Sequence, residues 1–75
     1  MPYIEIRAYP KDEEIKKRVA QRIKDVFLEE WGCPEQAISV SFEEFKPEEW
    51  EEKVVGPIMG NNKDKMYILN GQRVV

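Results

Sequence analysis

The chain has 75 residues, 41% apolar and 36% charged, with a net charge of −3, no histidine and one cysteine. That is room for one small domain, residues 1–75, with no shift of composition that would mark a linker. Scattered Lys and Arg on an acidic chain exclude nucleic acid as the main partner, and no apolar run reaches the ~20 residues of a membrane span. With no histidine, Cys33 alone provides neither an internal disulfide nor one of the usual zinc ligand sets. The N-terminus carries no apolar signal region, so the expected location is cytoplasmic. A core of this size supplies only ~3–5 kcal/mol of net stability, which points to self-association.

From Tyr3 to Tyr9 the residues alternate, with Ile4, Ile6 and Ala8 on one face and Tyr3, Glu5, Arg7 and Tyr9 on the other, as in a half-buried strand. Pro10 lacks the amide that a ladder needs and ends it. Asp12 is the expected N-cap of a helix whose first turn holds Glu13 and Glu14. Ile15, Val19, Ile23, Val26, Phe27 and Trp31 recur at steps of three and four, predicting an apolar stripe that faces a sheet. Gly32, with Pro34 close behind, ends the helix. Cys33 reads as a half-buried small hydrophobe.

Ile38, Val40 and Phe42 alternate with Ser39, Ser41 and Glu43 in a second strand that runs to about Phe45. Strand, helix and strand in this order suit a βαβ unit with parallel strands, the helix covering Ile4, Ile6, Val40 and Phe42. Pro47 opens a second, shorter helix to about Val55, bearing Trp50 and Val54, which Gly56-Pro57 disrupts, with prolongation by a helical turn through Ile58 and Met59 as the alternative. Residues 60–65 read as a polar loop. Met66–Leu69 and Gln72–Val75, joined by Asn70-Gly71, spell a hairpin with a type I′ turn.

The opening dipeptide carries the chemical interest. Loss of Met1 makes Pro2 a secondary amine, nucleophilic and basic when unprotonated, in a chain with no imidazole to share that work. As a dipeptide alone, Met-Pro is also an ordinary way to start a chain.

Taken together, Pro2, the βαβ order, Tyr9-Pro10-Lys11, Ile38-Ser39-Val40, Pro47-Glu48-Glu49-Trp50 and the terminal hairpin resemble the 4-oxalocrotonate tautomerase family. The nearest likeness is to its phenylpyruvate-type bacterial members, and it covers nearly the whole chain. The resemblance implies an α/β (α+β) fold whose sheet is completed by a second subunit. It implies an isomerase catalysing keto–enol tautomerisation of a small-molecule 2-oxo acid, with processed Pro2 as general base. It implies no cofactor and no metal. Lys11 falls where the family often has a basic residue that binds the substrate carboxylate, and Trp50 matches an aromatic wall. On their own, Lys11 beside Asp12 also fits a solvated charge at a helix start, and Trp50 also fits simple packing. The family forms homo-oligomers, and the extra hairpin favours the dimer, with the hexamer as the alternative.

Ser39 departs from the pattern, because long-studied members carry an arginine there that engages substrate. A hydroxyl offers one hydrogen bond where a guanidinium offers charge and a two-pronged clamp. A phenylpyruvate-like monocarboxylate therefore suits Lys11, Ser39 and Trp50 better than a dicarboxylate. Two other readings stand beside this one: the dehalogenase, hydratase or decarboxylase chemistry of the superfamily, and a non-catalytic oligomerisation module on the same fold.

Overall fold

A computed structural model describes every residue, Met1–Val75. The chain divides into two compact units, Met1–Phe45 and Lys46–Val75.

In the first unit, strand β1 (Tyr3–Ala8) leads through a short turn to helix α1 (Glu13–Trp31), and a 3-10 turn (Glu35–Ala37) leads into strand β2 (Ser39–Glu44). The strands are parallel and pair residue for residue from Tyr3 with Ser39 to Ala8 with Glu44. The ladder extends at both ends, where the Ser39 amide donates to the Pro2 carbonyl at 3.2 Å and the Phe45 amide to that of Ala8 at 2.9 Å. This is the expected βαβ arrangement. Asp12 caps α1, its carboxylate accepting the Ile15 amide at 2.9 Å. Gly32 ends it in the left-handed conformation, φ 63°, donating to the Leu28 carbonyl. A Lys24–Glu35 ion pair ties the helix to the 3-10 turn, and Cys33 is half-buried with its thiol directed at the Phe27 carbonyl.

The apolar stripe of α1 is only partly covered. Ile15, Ile23 and Phe27 are half-buried, as are Ala20, Leu28 and the stems of Lys16 and Lys24, whereas Val26 is 54% and Trp31 64% exposed. The reason is width. Two strands at ~4.8 Å spacing cannot cover a stripe more than ~100° wide, so one flank of the helix overhangs the free edge of β1. There Ile4, Val19, Arg22, Ile23, Val26 and Phe27 line a groove of about 430 Å³.

The second unit differs from expectation in its winding. A 3-10 turn (Pro47–Glu49) starts it, with the Glu49 carboxylate accepting the Lys46 amide at 3.0 Å and pairing with Lys53 at 2.7 Å. The helix expected to stop near Val55 continues through Gly56-Pro57 as a π-helix, Glu51–Met59. Proline removes one amide donor and crowds the carbonyl four residues back, and the wider π turn accommodates both effects. Residues expected as a loop wind into a 3-10 segment, Gly60–Lys65, broken at Asn62. Strands β3 (Ile68–Leu69) and β4 (Gln72–Arg73) form the expected hairpin, a sheet of their own. Asn70 and Gly71 have φ of 50° and 80°, the angles a type I′ turn requires.

Candidate active site

Pro2 stands immediately before β1 and is buried, while Met1 in front of it is 97% exposed. Across the ladder Ser39, the register partner of Tyr3, opens β2 with an exposed side chain and holds the Pro2 carbonyl through its amide. The structure therefore brings these two expected site residues together at the N-terminal end of both strands.

Beside them, on the sheet face away from the helix, the Tyr3 hydroxyl lies 2.8 Å from that of Ser41. Farther along that face Arg7 reaches Glu5 at 2.6 Å and Glu43 at 3.5 Å. Arg7, which by residue type could bind a substrate carboxylate or pair across the strands with Glu43, is engaged by two carboxylates of its own sheet, Glu43 among them. The Tyr3–Ser41 pair was not singled out from the sequence. The signal was present, since alternation puts both on one face, two register steps apart.

Lys11 lies at the other end of β1, in the turn to α1. Six strand residues at ~3.3 Å each separate the two ends by roughly 20 Å. Its backbone amide donates to a Glu44 carboxylate oxygen at 2.9 Å, and the second Glu44 oxygen pairs with Lys16 at 3.3 Å, which also meets Glu13 at 3.4 Å. The Lys11 amide chiefly holds the Glu44 carboxyl below its usual range; desolvation opposes this and Lys16 reinforces it. Desolvation pulls the Lys16 ammonium down, but hydrogen bonds to Glu44 and Glu13 outweigh it and leave it raised. With Asp12 occupied at the helix cap and Glu44 by these two donors, the Lys11 ammonium enters no ion pair.

Trp50 belongs to the second unit, where it is half-buried at the start of the π-helix. It lines a cavity of about 700 Å³ with Val55, Met59, Met66 and Leu69 on its apolar side and Lys63 on its polar rim. That volume is in the range of small-molecule sites. Nowhere do three or more carboxylate, thiol or imidazole side chains gather as metal ligands would. No helix is long and apolar enough to cross a membrane.

The chain thus offers a strand-end proline beside a serine, an unpaired ammonium at the opposite strand end, and an aromatic-walled cavity. Residues 2–59 match the family model described as tautomerase enzyme. Tautomerase PptA of Pectobacterium atrosepticum is 34% identical over 68 residues, covering 88% of this chain and 90% of that protein. Tautomerase PptA of Pectobacterium carotovorum subsp. carotovorum is 31% identical over the same shares. Tautomerase PptA of Escherichia coli O127:H6 is 34% identical over 53 residues, 68% of this chain and 71% of that one. With the βαβ unit, second helix and terminal hairpin in place, these matches establish that the chain belongs to the tautomerase family and is an isomerase.

Proposed function

We propose that the chain catalyses keto–enol tautomerisation of a phenylpyruvate-like 2-oxo acid, with Pro2, freed by removal of Met1, as general base. While Met1 remains, the Pro2 nitrogen is an amide nitrogen and not basic. Its removal creates the amine, and the exposure of Met1 is compatible with that processing. An apolar surround favours the neutral, proton-accepting form of an amine, and Pro2 is buried. In the forward direction the amine takes the enol hydroxyl proton as the carbonyl forms, and the resulting Pro2 ammonium returns that proton to the adjacent carbon, regenerating the free amine; the reverse sequence makes the enol. Lys11 binds the substrate carboxylate, Ser39 donates one hydrogen bond, and Trp50 packs against the aromatic or apolar body.

The observation that carries this reading is the placement of Pro2, tied to Ser39 at the mouth of the parallel ladder in a tautomerase-family chain without histidine. The separation of Pro2 from Lys11 adds a requirement. A small substrate does not span ~20 Å, so a single protomer does not present both groups to it. Antiparallel pairing of the free β1 edges of two copies about a twofold axis brings Lys11 of one copy toward Pro2 of the other. It also makes one four-stranded sheet and covers the apolar groove beside β1. The functional unit in this reading is a cytoplasmic homodimer with residues 1–75 acting as one domain in each copy.

The test combines intact mass with an ultraviolet assay of phenylenolpyruvate ketonisation. Native protein is expected to lack Met1, and Pro2→Ala to lose most of the rate. Retained Met1 in active protein, or equal rates for the two forms, removes Pro2 as the base.

A further inference from the structure

We propose that Glu44 is a positioning residue for the tautomerase reaction, its carboxylate fixing the β1–α1 turn so that the Lys11 ammonium is held toward substrate. The inference rests on the reading of Lys11 as the substrate-carboxylate ligand. Glu44 is the last residue of β2, opposite Ala8, and it touches three elements at once. One oxygen accepts the Lys11 amide at 2.9 Å and the other pairs with Lys16 in the first turns of α1 at 3.3 Å, while its own strand is locked by the Phe45 amide on the Ala8 carbonyl.

Two consequences follow for Lys11. Its main chain is pinned by a hydrogen bond of ordinary amide–oxygen length, 2.9 Å, at the residue whose side chain must meet the ligand. Its ammonium remains uncommitted, because the Glu44 carboxylate is already shared between an amide and Lys16. Rigid placement of the groups that orient substrate matters strongly, since a displacement of ~1 Å costs up to ~100-fold in rate. The contact with the Lys11 amide is what sets the turn.

Two conservative variants of the full chain separate the roles. Glu44→Gln keeps the reach to the Lys11 amide and loses the charge, whereas Glu44→Asp keeps the charge and draws it back by about one carbon–carbon bond, ~1.5 Å. Kinetics with phenylenolpyruvate are expected to show KM within about 2-fold of wild type for Glu44→Gln and raised about 5-fold or more for Glu44→Asp, kcat changing less in both. In a Lys11→Ala background Glu44→Asp is expected to add less than about 2-fold, because both changes act through one group. Full additivity, or KM following charge rather than reach, overturns the proposal for Glu44. An unchanged KM for Lys11→Ala alone instead overturns the role of Lys11 on which it rests.

Discussion

The Ser39 amide donates to the Pro2 carbonyl at 3.2 Å, so the first rung of the ladder is made by the two residues at the proposed centre. That bond uses only main-chain atoms. Ser39→Ala is therefore expected to fold as wild type does and to lower kcat/KM by about 3- to 10-fold through loss of one hydrogen bond to substrate. Ser39→Arg is expected to raise the preference for a dicarboxylate over a monocarboxylate enol by about 10-fold or more, since a guanidinium grips carboxylates with two parallel bonds. Parallel assays of the two substrates check both outcomes.

Asp12 caps α1 through the Ile15 amide and lies next to Lys11. Asp12→Ala is expected to cost about 1 kcal/mol, and Asp12→Asn, which also caps well, much less. In a chain of this size about 1 kcal/mol corresponds to a fall in melting temperature of roughly 4–8 °C. Thermal melts followed by circular dichroism would show it, and equal melts for the two variants would mean that the cap contributes nothing.

The carboxyls of Glu35, Glu44 and Glu49 are all held below their ordinary range, by Lys24, by the Lys11 amide and by Lys53 respectively. A carboxyl depressed in the folded state adds stability that is fully present above its unfolded value, about 4.5, and is lost as pH falls through the lower folded value. These groups lie at the surface, so each contribution is small and screened by salt. Denaturant midpoints are expected to hold down to about pH 5 and to decline below it, less steeply in Glu44→Gln than in wild type. A decline of the same slope in both would assign the acid sensitivity to other groups.

Val26 is 54% exposed and borders the groove beside β1. Val26→Glu puts a better helix former at a position that is open in the single chain, so its cost falls on the proposed association. Sedimentation is expected to show the proposed dimer weakened by about 10-fold or more, with activity lost in proportion, because a charge is placed in apolar contact. An unaltered dimer would place the interface elsewhere.

Much of this architecture was legible in local signals. Alternation at Tyr3–Ala8, the Asp12 cap, the Gly32 stop and the Asn70-Gly71 turn are each decided by a few neighbouring residues, and each appears where the chain predicts it. The stripe of α1 was legible as a stripe but not in its fate. Burial of Val19, Val26 and Trp31 depends on how wide a sheet lies beneath them, which no local pattern records. The π winding through Pro57 was not legible either, because a proline that ends an α-helix can be accommodated in a wider turn. Among site residues, Pro2 and Ser39 fall together because the two strands start level, a register that the βαβ order does not by itself set. Glu44 escaped notice, since one more glutamate at a strand end carries no signal until the turn folds back on it.

The distance along β1 between Pro2 and Lys11 carries a genetic consequence. If each centre draws its amine from one chain and its ammonium from the other, two impaired proteins restore each other when assayed at substrate well below KM. Equal amounts of Pro2→Ala and Lys11→Ala chains, unfolded together and refolded, pair at random, and half of the dimers are mixed. Each mixed dimer holds one doubly lesioned centre and one intact centre, so recovery of roughly a quarter of wild-type activity is expected from twofold symmetry alone. A centre confined to a single chain would recover nothing. In a cell carrying both alleles, the same geometry would let two defective copies of the gene complement one another.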